Sequence, residues 1–442
     1  APPEPAADPP LRSGVSRDAE ALRDRLYDRL VQELDAPKLM AALADRGDAR
    51  RAVEDAVARL INQEGITLTR PDELALMREL ADEIVGYGPI EPLLQDETIS
   101  EVMVNGPDRV FYERKGLLHR SDRAFRDDDH VMRVIDRIVT PLGRRIDESS
   151  PMVDARLPDG SRVNAIIPPL AIHGPSLTIR KFSKRRLTDA DLIRLGALTP
   201  ELAEFLRGCV ASKLNIVVSG GTGSGKTTFL NMLSSYIPPR ERIVSIEDPA
   251  ELRLDQENWV SLETRPPNVE GKGQVAQREL VKNALRMRPD RIIVGECRGS
   301  EAFDMLQAMN TGHDGSLTTI HANTPRDAIS RIENMVMMAN LDLPARAIRE
   351  QIASAINLVV QLSRLSDGSR RITYVTEIVG MEQEIISLQD VFTFERRGVA
   401  ADGTVLGQLM PSGIRPHFAE LLERSGFPLA PELFARAERP GA

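Results

Sequence analysis

The first long stretch of the chain repeats apolar residues at the spacing of an amphipathic helix. Intervals of three and four residues place such side chains on one helix face. Between residues 16 and 86 the repeated positions are Leu22, Leu26, Leu30, Leu34, Val53, Val57, Leu60, Leu76, Leu80 and Ile84. The pattern predicts a helical N-terminal segment, a small bundle whose apolar stripe we interpret as core. Residues 1–15, rich in proline, are predicted to be a disordered tail.

The pattern changes over residues 87–186 to short alternating apolar and polar runs separated by turn residues. Residues 102–112 and 161–167 show this alternation, which is typical of antiparallel strands. Between them, Val131, Ile135 and Ile138 have helical spacing. We therefore predict a compact α+β domain, followed by a hinge over residues 187–198.

From residue 199 to the end, apolar runs alternate with helical stretches, as in a wound α/β sheet. Thr199 followed by a proline predicts a helix start. Buried strands are predicted near residues 215–219, 243–246, 291–294 and 316–320. We expect this segment to be the catalytic domain, with further strands from about residue 358 and a helix near 415–426.

Composition limits the possible classes of protein. The chain has 442 residues, of which 41% are apolar and 28% are charged, as in folded multidomain proteins. A net charge of -9 argues against a protein that coats nucleic acid. Cys209 and Cys297 provide neither a disulfide framework nor zinc-site spacing. This cysteine usage makes the cytosol the expected compartment. No run reaches the roughly 18–20 apolar residues of a membrane span, so any membrane association is expected to be peripheral.

The most specific chemical motif is GGTGSGKT at residues 220–227. It matches the phosphate-binding loop, and it follows a predicted strand and opens a predicted helix. The motif assigns Lys226 to the β- and γ-phosphates of ATP and the Thr227 hydroxyl to Mg²⁺. The residues predicted to contact the nucleotide here are Gly221, Thr222, Gly223, Ser224, Gly225, Lys226, Thr227 and Thr228.

Two glutamates follow predicted strands of the catalytic domain. Glu247 opens an acidic stretch that ends at Glu251, and Glu296 follows the strand at 291–294. The carboxyl ends of such strands are where ligands bind in open α/β sheets. Either glutamate can therefore hold Mg²⁺ or prepare the attacking water. The sequence leaves open which of the two is the base.

Two histidines bracket the predicted strand at residues 316–320. His313 precedes this strand and His321 follows it, and the whole chain has only 6 histidines. We predict that His321 reports on the γ-phosphate and that His313 contributes to nucleotide binding. A structural role for each histidine is the alternative.

Together these motifs, in this order, resemble the type II/type IV secretion ATPase superfamily. Residues 220–227, 247–251, 285–296, 311–313 and 321–323 carry the resemblance, which extends from about residue 85 to the end. Within the superfamily, residues 101–106, 154–164 and 412–418 resemble the Tad/CpaF branch, which powers Flp-type (type IVc) pili. The four-cysteine zinc element seen in many type II assembly ATPases is missing from the sequence, which also favours this branch.

The resemblance implies a homohexameric motor that hydrolyses ATP to ADP and phosphate with Mg²⁺. It implies a RecA-like P-loop domain in the α/β class, preceded by a smaller α+β (PAS-like) domain, with ATP between the two. Arg156, Arg162 and Arg180 match the region whose arginines engage the phosphates. The implied partners are other copies of the chain and inner-membrane platform proteins, at the cytoplasmic face of that membrane and with no nucleic acid.

The resemblance therefore predicts a motor that powers assembly of a Tad/Flp type IV pilus, and two alternative functions share these motifs. One is a conjugation-type traffic ATPase of a type IV secretion system, which has the same catalytic residues. The other is a nucleotide-gated scaffold in which turnover is incidental.

Overall fold

The computed structural model describes residues 22–30 except 24 and 28, then 46–66, 68–114, 116–182, 186–267 and 272–435. The chain divides into two compact units, Ala1–Lys184 and Arg185–Ala442. The predicted tail over residues 1–15 and the predicted stripe position Leu34 lie outside the described residues. None of the described helices is long and apolar enough to cross a membrane.

The first unit begins with a helical segment, as the spacing of its apolar residues predicts. The described residues within 22–30 are helical and are followed by α1 (Arg46–Gln63) and α2 (Arg70–Ile84). The side chain of Thr69 caps α2 by accepting a hydrogen bond from the Asp72 amide. The stripe residues of these helices are buried together: Leu26, Leu30, Val53, Val57, Leu60, Leu76 and Leu80. A short α3 (Glu91–Gln95) leads into the sheet.

The rest of the first unit is an antiparallel sheet covered by one long helix. Its strands are β1 (Ile99–Asn105), β2 (Val110–Arg114), β3 (Leu117–Arg120), β4 (Met152–Arg156), β5 (Arg162–Ile166) and β6 (Ser176–Arg180). They are ordered β3-β2-β1-β6-β5-β4. The helix α4 (Asp128–Val139) buries Val131, Ile135 and Ile138 in the same core as β-strand residues such as Val163 and Ile179. The predicted α+β domain is therefore present.

The second unit is built on a nine-stranded sheet. Its strands are β7 (Ile216–Gly220), β8 (Ile243–Glu247), β9 (Trp259–Glu263), β10 (Arg291–Val294), β11 (Leu317–Ile320), β12 (Leu358–Arg364), β13 (Arg370–Glu382), β14 (Ile385–Val399) and β15 (Val405–Pro411). The spatial order is β15-β14-β13-β12-β7-β11-β10-β8-β9. The six strands from β12 to β9 run parallel, and β13 to β15 extend the sheet antiparallel.

Helices cover both faces of this sheet. They are α5 (Asp189–Arg194), α6 (Pro200–Ala211), α7 (Lys226–Ser234), α8 (Gln277–Ala284), α9 (Glu301–Asn310), α10 (Pro325–Met337), α11 (Ala345–Ala355) and α12 (Ala419–Arg424). Successive strand residues point to opposite faces. Ile216 and Val218 therefore pack in the core that contains α6 and α7, whereas Val217 packs in the core that contains α9 to α11. This is the predicted RecA-like architecture, with a parallel sheet between two helical layers.

The segment predicted as a hinge differs from the prediction. Residues 187–198 contain α5, whose capping box joins Thr188 and Asp191. Leu192 and Leu198 are buried in the core of the second unit, and Arg371 donates hydrogen bonds to the carbonyls at Leu195 and Gly196. The division between the units falls earlier, after Lys184. The polar start of the segment suggested a linker, but its leucines have the spacing of a packed helix.

Candidate active site

The phosphate-binding loop connects a fully buried strand to a helix. All five residues of β7 are buried, and α7 begins at Lys226 immediately after the loop. Gly223 and Gly225 have φ angles of 71° and 94°, in the left-handed region that glycine adopts without strain. The Ser224 hydroxyl donates to the Gly221 carbonyl over 2.8 Å. The loop therefore has the sharp turn that presents backbone N–H groups and a helix N-terminus to an anion.

Lys226 places its charge inside the site. The residue is only 7% exposed, and its Nζ donates to the Gly221 carbonyl over 3.0 Å. The ring nitrogens of His321 lie 3.2 and 3.3 Å from the same Nζ. These contacts follow from the sheet, because Ile320 of β11 pairs with Ser219 of β7. His321 is therefore placed beside the start of the loop.

Glu296 joins the same cluster from the neighbouring strand. Its Oε1 lies 3.2 Å from His321 Nε2, and its Oε2 accepts a hydrogen bond from Arg298 over 2.8 Å. Burial by itself raises the pKa of Glu296, but the Arg298 hydrogen bond and the charges of Arg298, His321 and Lys226 together lower it. Glu296 is therefore an ionised carboxylate, suited to accept a proton or to interact with a cation.

His321 is kept neutral by its surroundings. Burial and the positive charge of Lys226 lower the pKa of His321, against an opposing contribution from Glu296. A neutral imidazole accepts a hydrogen bond at one nitrogen and donates at the other. It can therefore bridge the ammonium of Lys226 and the carboxylate of Glu296.

Glu247 is placed differently from Glu296. It is 2% exposed, and its Oε1 accepts hydrogen bonds from the amides of Glu251 and Leu252 over 2.9 and 3.0 Å. A side chain at Gly295 would clash with Glu247, because an added Cβ would lie 2.7 Å from its Cγ. Glu247 thus holds the acidic stretch in its turn, whereas Glu296 contacts His321 beside the loop.

Burial raises the pKa of Glu247 from 4.5 to about 7, although the two amide hydrogen bonds oppose this shift. The charges of Glu251 and Glu263 raise it further. A carboxyl group with this pKa is partly protonated near neutral pH, and a protonated carboxyl is a poor metal ligand. Thr227 and Glu296 offer the hard oxygen donors that Mg²⁺ prefers, so the donor set fits Mg²⁺ through these two residues.

A cavity of about 470 Å³ adjoins the loop. Its lining consists of residues from the loop, from the segment after β11 and from one face of α10: Gly221, Thr222, His321, Ala322, Asn323, Asp327, Ser330, Arg331 and Asn334. The cavity is therefore continuous with the position of the predicted γ-phosphate contacts.

Three residues of this site were not assigned from the sequence. Arg298 pairs with Glu296, Gln277 donates from its side chain to the Glu296 carbonyl over 2.8 Å, and Arg370 donates from Nε to the Gly223 carbonyl over 2.8 Å. Arg298 follows Glu296 by two residues, so its pairing with that carboxylate could have been predicted from the local sequence. Gln277 and Arg370 are distant in sequence from their partners, and only the fold brings them close.

His313 is not near the loop within this chain. It precedes β11, whereas the loop and His321 follow the carboxyl ends of β7 and β11. Its carbonyl accepts a hydrogen bond from the Ser316 hydroxyl over 2.8 Å. The predicted contact of His313 with the nucleotide therefore disagrees with its position at the opposite end of the strand.

The three predicted arginines lie side by side in the first unit. Arg156 pairs with Arg162 across β4 and β5, Arg162 pairs with Arg180 across β5 and β6, and Arg180 pairs with Glu101 of β1. Residues directly opposite each other share a face of the sheet. Because Val163 packs toward α4, the arginine row lies on the other face. There, Arg180 Nε is 3.7 Å from Glu101 Oε1.

Comparison with known families identifies the chain more closely. A family model described as "Type II/IV secretion system protein" matches residues 83–401, and one described as "Type II secretion system protein E, N-terminal domain" matches residues 19–85. The chain belongs to the type II/IV secretion system protein family. The second match extends the family resemblance into the helical segment before residue 85. Membership of this ATPase family implies nucleotide binding, in agreement with the loop geometry.

The relatives of this secretion-family chain include conjugal transfer proteins. It is 38% identical over 346 residues to a putative conjugal transfer protein of Mycobacterium tuberculosis, covering 77% of this chain and 97% of that protein. It is 37% identical to the conjugal transfer protein TrbB of Rhizobium radiobacter, covering 65% and 86%. Among solved structures, the VirB11 ATPase of the Brucella suis type IV secretion system is 32% identical, covers 65% and 94%, and has a TM-score of 0.35.

We expect the buried carboxyl group of Glu247 to make stability depend on pH. A pKa that is raised in the folded state favours folding below the unfolded value, and this contribution is lost as pH rises. The stability of the wild type relative to Glu247→Gln should therefore fall between about pH 5 and pH 7.5, by up to about 3 kcal/mol. Urea unfolding at several pH values measures this difference.

The exposed Glu257 provides a matched control for that titration. Replacing it by glutamine should leave the pH dependence of unfolding unchanged. A wild-type advantage over Glu247→Gln that stays constant or grows with pH would contradict the assigned environment of Glu247.

Proposed function

We propose that this secretion-family chain is the traffic ATPase of an envelope-spanning transport machine of the conjugal-transfer or type IV secretion kind. In this proposal it hydrolyses ATP to ADP and phosphate as a homohexamer. The observation that carries the proposal is the cluster of Lys226, His321 and Glu296 at the phosphate-binding loop. The named functions of its conjugal-transfer relatives support the choice of machine.

The residues have complementary roles in the proposed reaction. The loop amides and Lys226 bind the phosphates, because phosphoryl transfer develops negative charge that fixed donors stabilise. Glu296, ionised and about one quarter exposed, orients the attacking water and accepts its proton. His321 contacts both this carboxylate and Lys226. A change in the contacts of Lys226 with the phosphates is therefore transmitted through His321 to Glu296, the proposed base.

Mg²⁺ is the proposed cofactor, and when bound it supplies charge neutralisation at the phosphate oxygens. Within this chain, Thr227 at the first turn of α7 is proposed to hold it directly, and Glu296 is proposed to interact with it only through water, which leaves the carboxylate available as the base. Glu247 was also expected as a metal ligand and as an alternative base. Its hydrogen bonds to backbone amides favour the role of supporting the acidic stretch instead.

The arginine row of the first unit is proposed to contribute after ATP binds. Arg156, Arg162 and Arg180 supply three positive charges on one face of a sheet. Cations of this kind stabilise the charge of phosphoryl transfer when they reach the phosphates. We propose that they do so when the two units close on ATP, and that this closure is the mechanical stroke.

Assembly, or assembly and retraction, of a Tad/Flp-type pilus is the second candidate function. Its support is the branch resemblance of residues 101–106, 154–164 and 412–418. The last of these stretches is built into the fold, since the buried Glu377 accepts hydrogen bonds from the amides of His417 and Phe418. In either machine, the proposed partners are inner-membrane platform proteins that recruit the ATPase to the cytoplasmic face.

Copurification separates the two machines. The chain is expressed with the membrane platform proteins of a Tad pilus or with those of a conjugal-transfer system, and retention is compared in detergent. Selective retention by the conjugal-transfer set supports the main proposal. Selective retention by the pilus set replaces it with the second candidate.

A chain that binds ATP but never hydrolyses it would instead be a nucleotide-gated scaffold.

Glu296→Gln should slow single-turnover ATP hydrolysis by roughly 100-fold or more while ATP binding persists. The amide keeps the size of the side chain but cannot accept the proton. Glu247→Gln should have a smaller effect, and Glu257→Gln none. Hydrolysis is measured with excess enzyme, and binding is measured separately. If Glu247→Gln were the slower variant, the assignment of the base to Glu296 would be wrong.

Arg180→Ala should lower hydrolysis at least about tenfold, since an arginine that meets the phosphates can contribute much more than this. ATP affinity should change less than turnover, because the arginine acts after closure. Arg120→Ala, on an exposed edge strand of the same sheet, is the control. Steady-state turnover and nucleotide affinity are measured side by side. Near-normal turnover by Arg180→Ala would remove the basis for the proposed stroke.

A further inference from the structure

One face of α10 forms a polar wall beside the phosphate-binding loop. Asp327, Arg331 and Asn334 are spaced by four and three residues, which places them on one side of the helix. All three line the cavity of about 470 Å³ that Gly221 and His321 also line. The cavity therefore runs from the phosphate site along the surface of α10.

Arg331 gives this wall its positive charge. The side chain is exposed, and within the described parts of the chain it forms no ion pair with a carboxylate. Its charge contributes to lowering the pKa of His321, after burial and the larger effect of Lys226. Arg331 is therefore within electrostatic reach of the catalytic cluster although it lies on a different element.

We propose that Arg331 and Asn334 form an exit subsite for inorganic phosphate, the product that leaves after hydrolysis. This inference rests on the proposed ATPase function. A guanidinium group matches the geometry of phosphate oxygens, and the amide of Asn334 adds a neutral donor. The cavity connects this pair to the loop residues Gly221 and Thr222, where the γ-phosphate is expected.

The charges of the wall suit weak binding of inorganic phosphate, a product that must leave the site. Asp327 lies one helical turn before Arg331, and its carboxylate repels an anion that binds next to it. The wall therefore places an anion beside the cation of the subsite, in contrast to the buried Lys226 at the loop. Such a balance favours brief binding of phosphate on its way out of the site.

Product inhibition of the full chain tests the subsite. Steady-state ATP hydrolysis is measured with added inorganic phosphate and, in a separate series, with added ADP. Arg331→Gln should raise the inhibition constant for phosphate by about tenfold, because a charge-assisted hydrogen-bond pair is lost, and should leave that for ADP unchanged. Arg331→Lys should give an intermediate value. Arg326→Gln, an exposed arginine on α10 outside the cavity lining, should behave as wild type.

Equilibrium binding of radiolabelled phosphate to the ADP-loaded protein gives a readout that does not need turnover. Weaker phosphate binding by Arg331→Gln, with normal binding by Arg326→Gln, supports the subsite. Equal phosphate affinity in wild type and Arg331→Gln, or no phosphate binding by the wild type, overturns it. A wild type that binds phosphate but does not hydrolyse ATP would instead contradict the proposed function.

Discussion

A lysine ammonium group is held at the point where two parallel strands of the second unit end, and the site is arranged around it. Lys226 is only 7% exposed, and its Nζ contacts the Gly221 carbonyl and the His321 ring. Burying a charge is costly unless polar groups surround it. The loop carbonyl and the imidazole provide such groups, and Glu296 lies next beyond His321. The buried ammonium therefore links the phosphate loop to the ionised carboxylate.

The sheet order makes this arrangement possible. β7, β11 and β10 are neighbours and run parallel, so the residues that follow them meet where the carboxyl ends of these strands lie. The chain passes from β7 to β8 on the far side of β10 and β11, which leaves a crevice at the loop of the kind where ligands bind in α/β folds. Glu247, one strand further away, turns toward backbone amides and supports the site from its side.

The sequence was informative where local pattern and local motif coincide. The four buried strands, the capped helix after Thr199, the loop and the helical stripe of α1 and α2 all follow from spacing over a few residues. The hinge prediction over 187–198 did not hold, because the partners of Leu192, Leu198 and Gly196 are provided by distant parts of the chain. Gln277 and Arg370 were not predicted for the same reason, because their partners Glu296 and Gly223 are distant in sequence. A sequence motif does not show the direction of a strand in the sheet. This direction places His313 and His321 at opposite ends of β11.

The most direct test of the account is the effect of removing the Lys226 ammonium group on ATP hydrolysis. Lys226→Ala is compared with wild type and with Lys282→Ala, whose lysine is half exposed on α8. Lys226→Ala should fold but lose turnover, because the transferred phosphoryl group loses its fixed positive charge. Lys282→Ala should keep wild-type turnover. Wild-type turnover by a correctly folded Lys226→Ala protein would contradict the assignment of this cluster as the catalytic site.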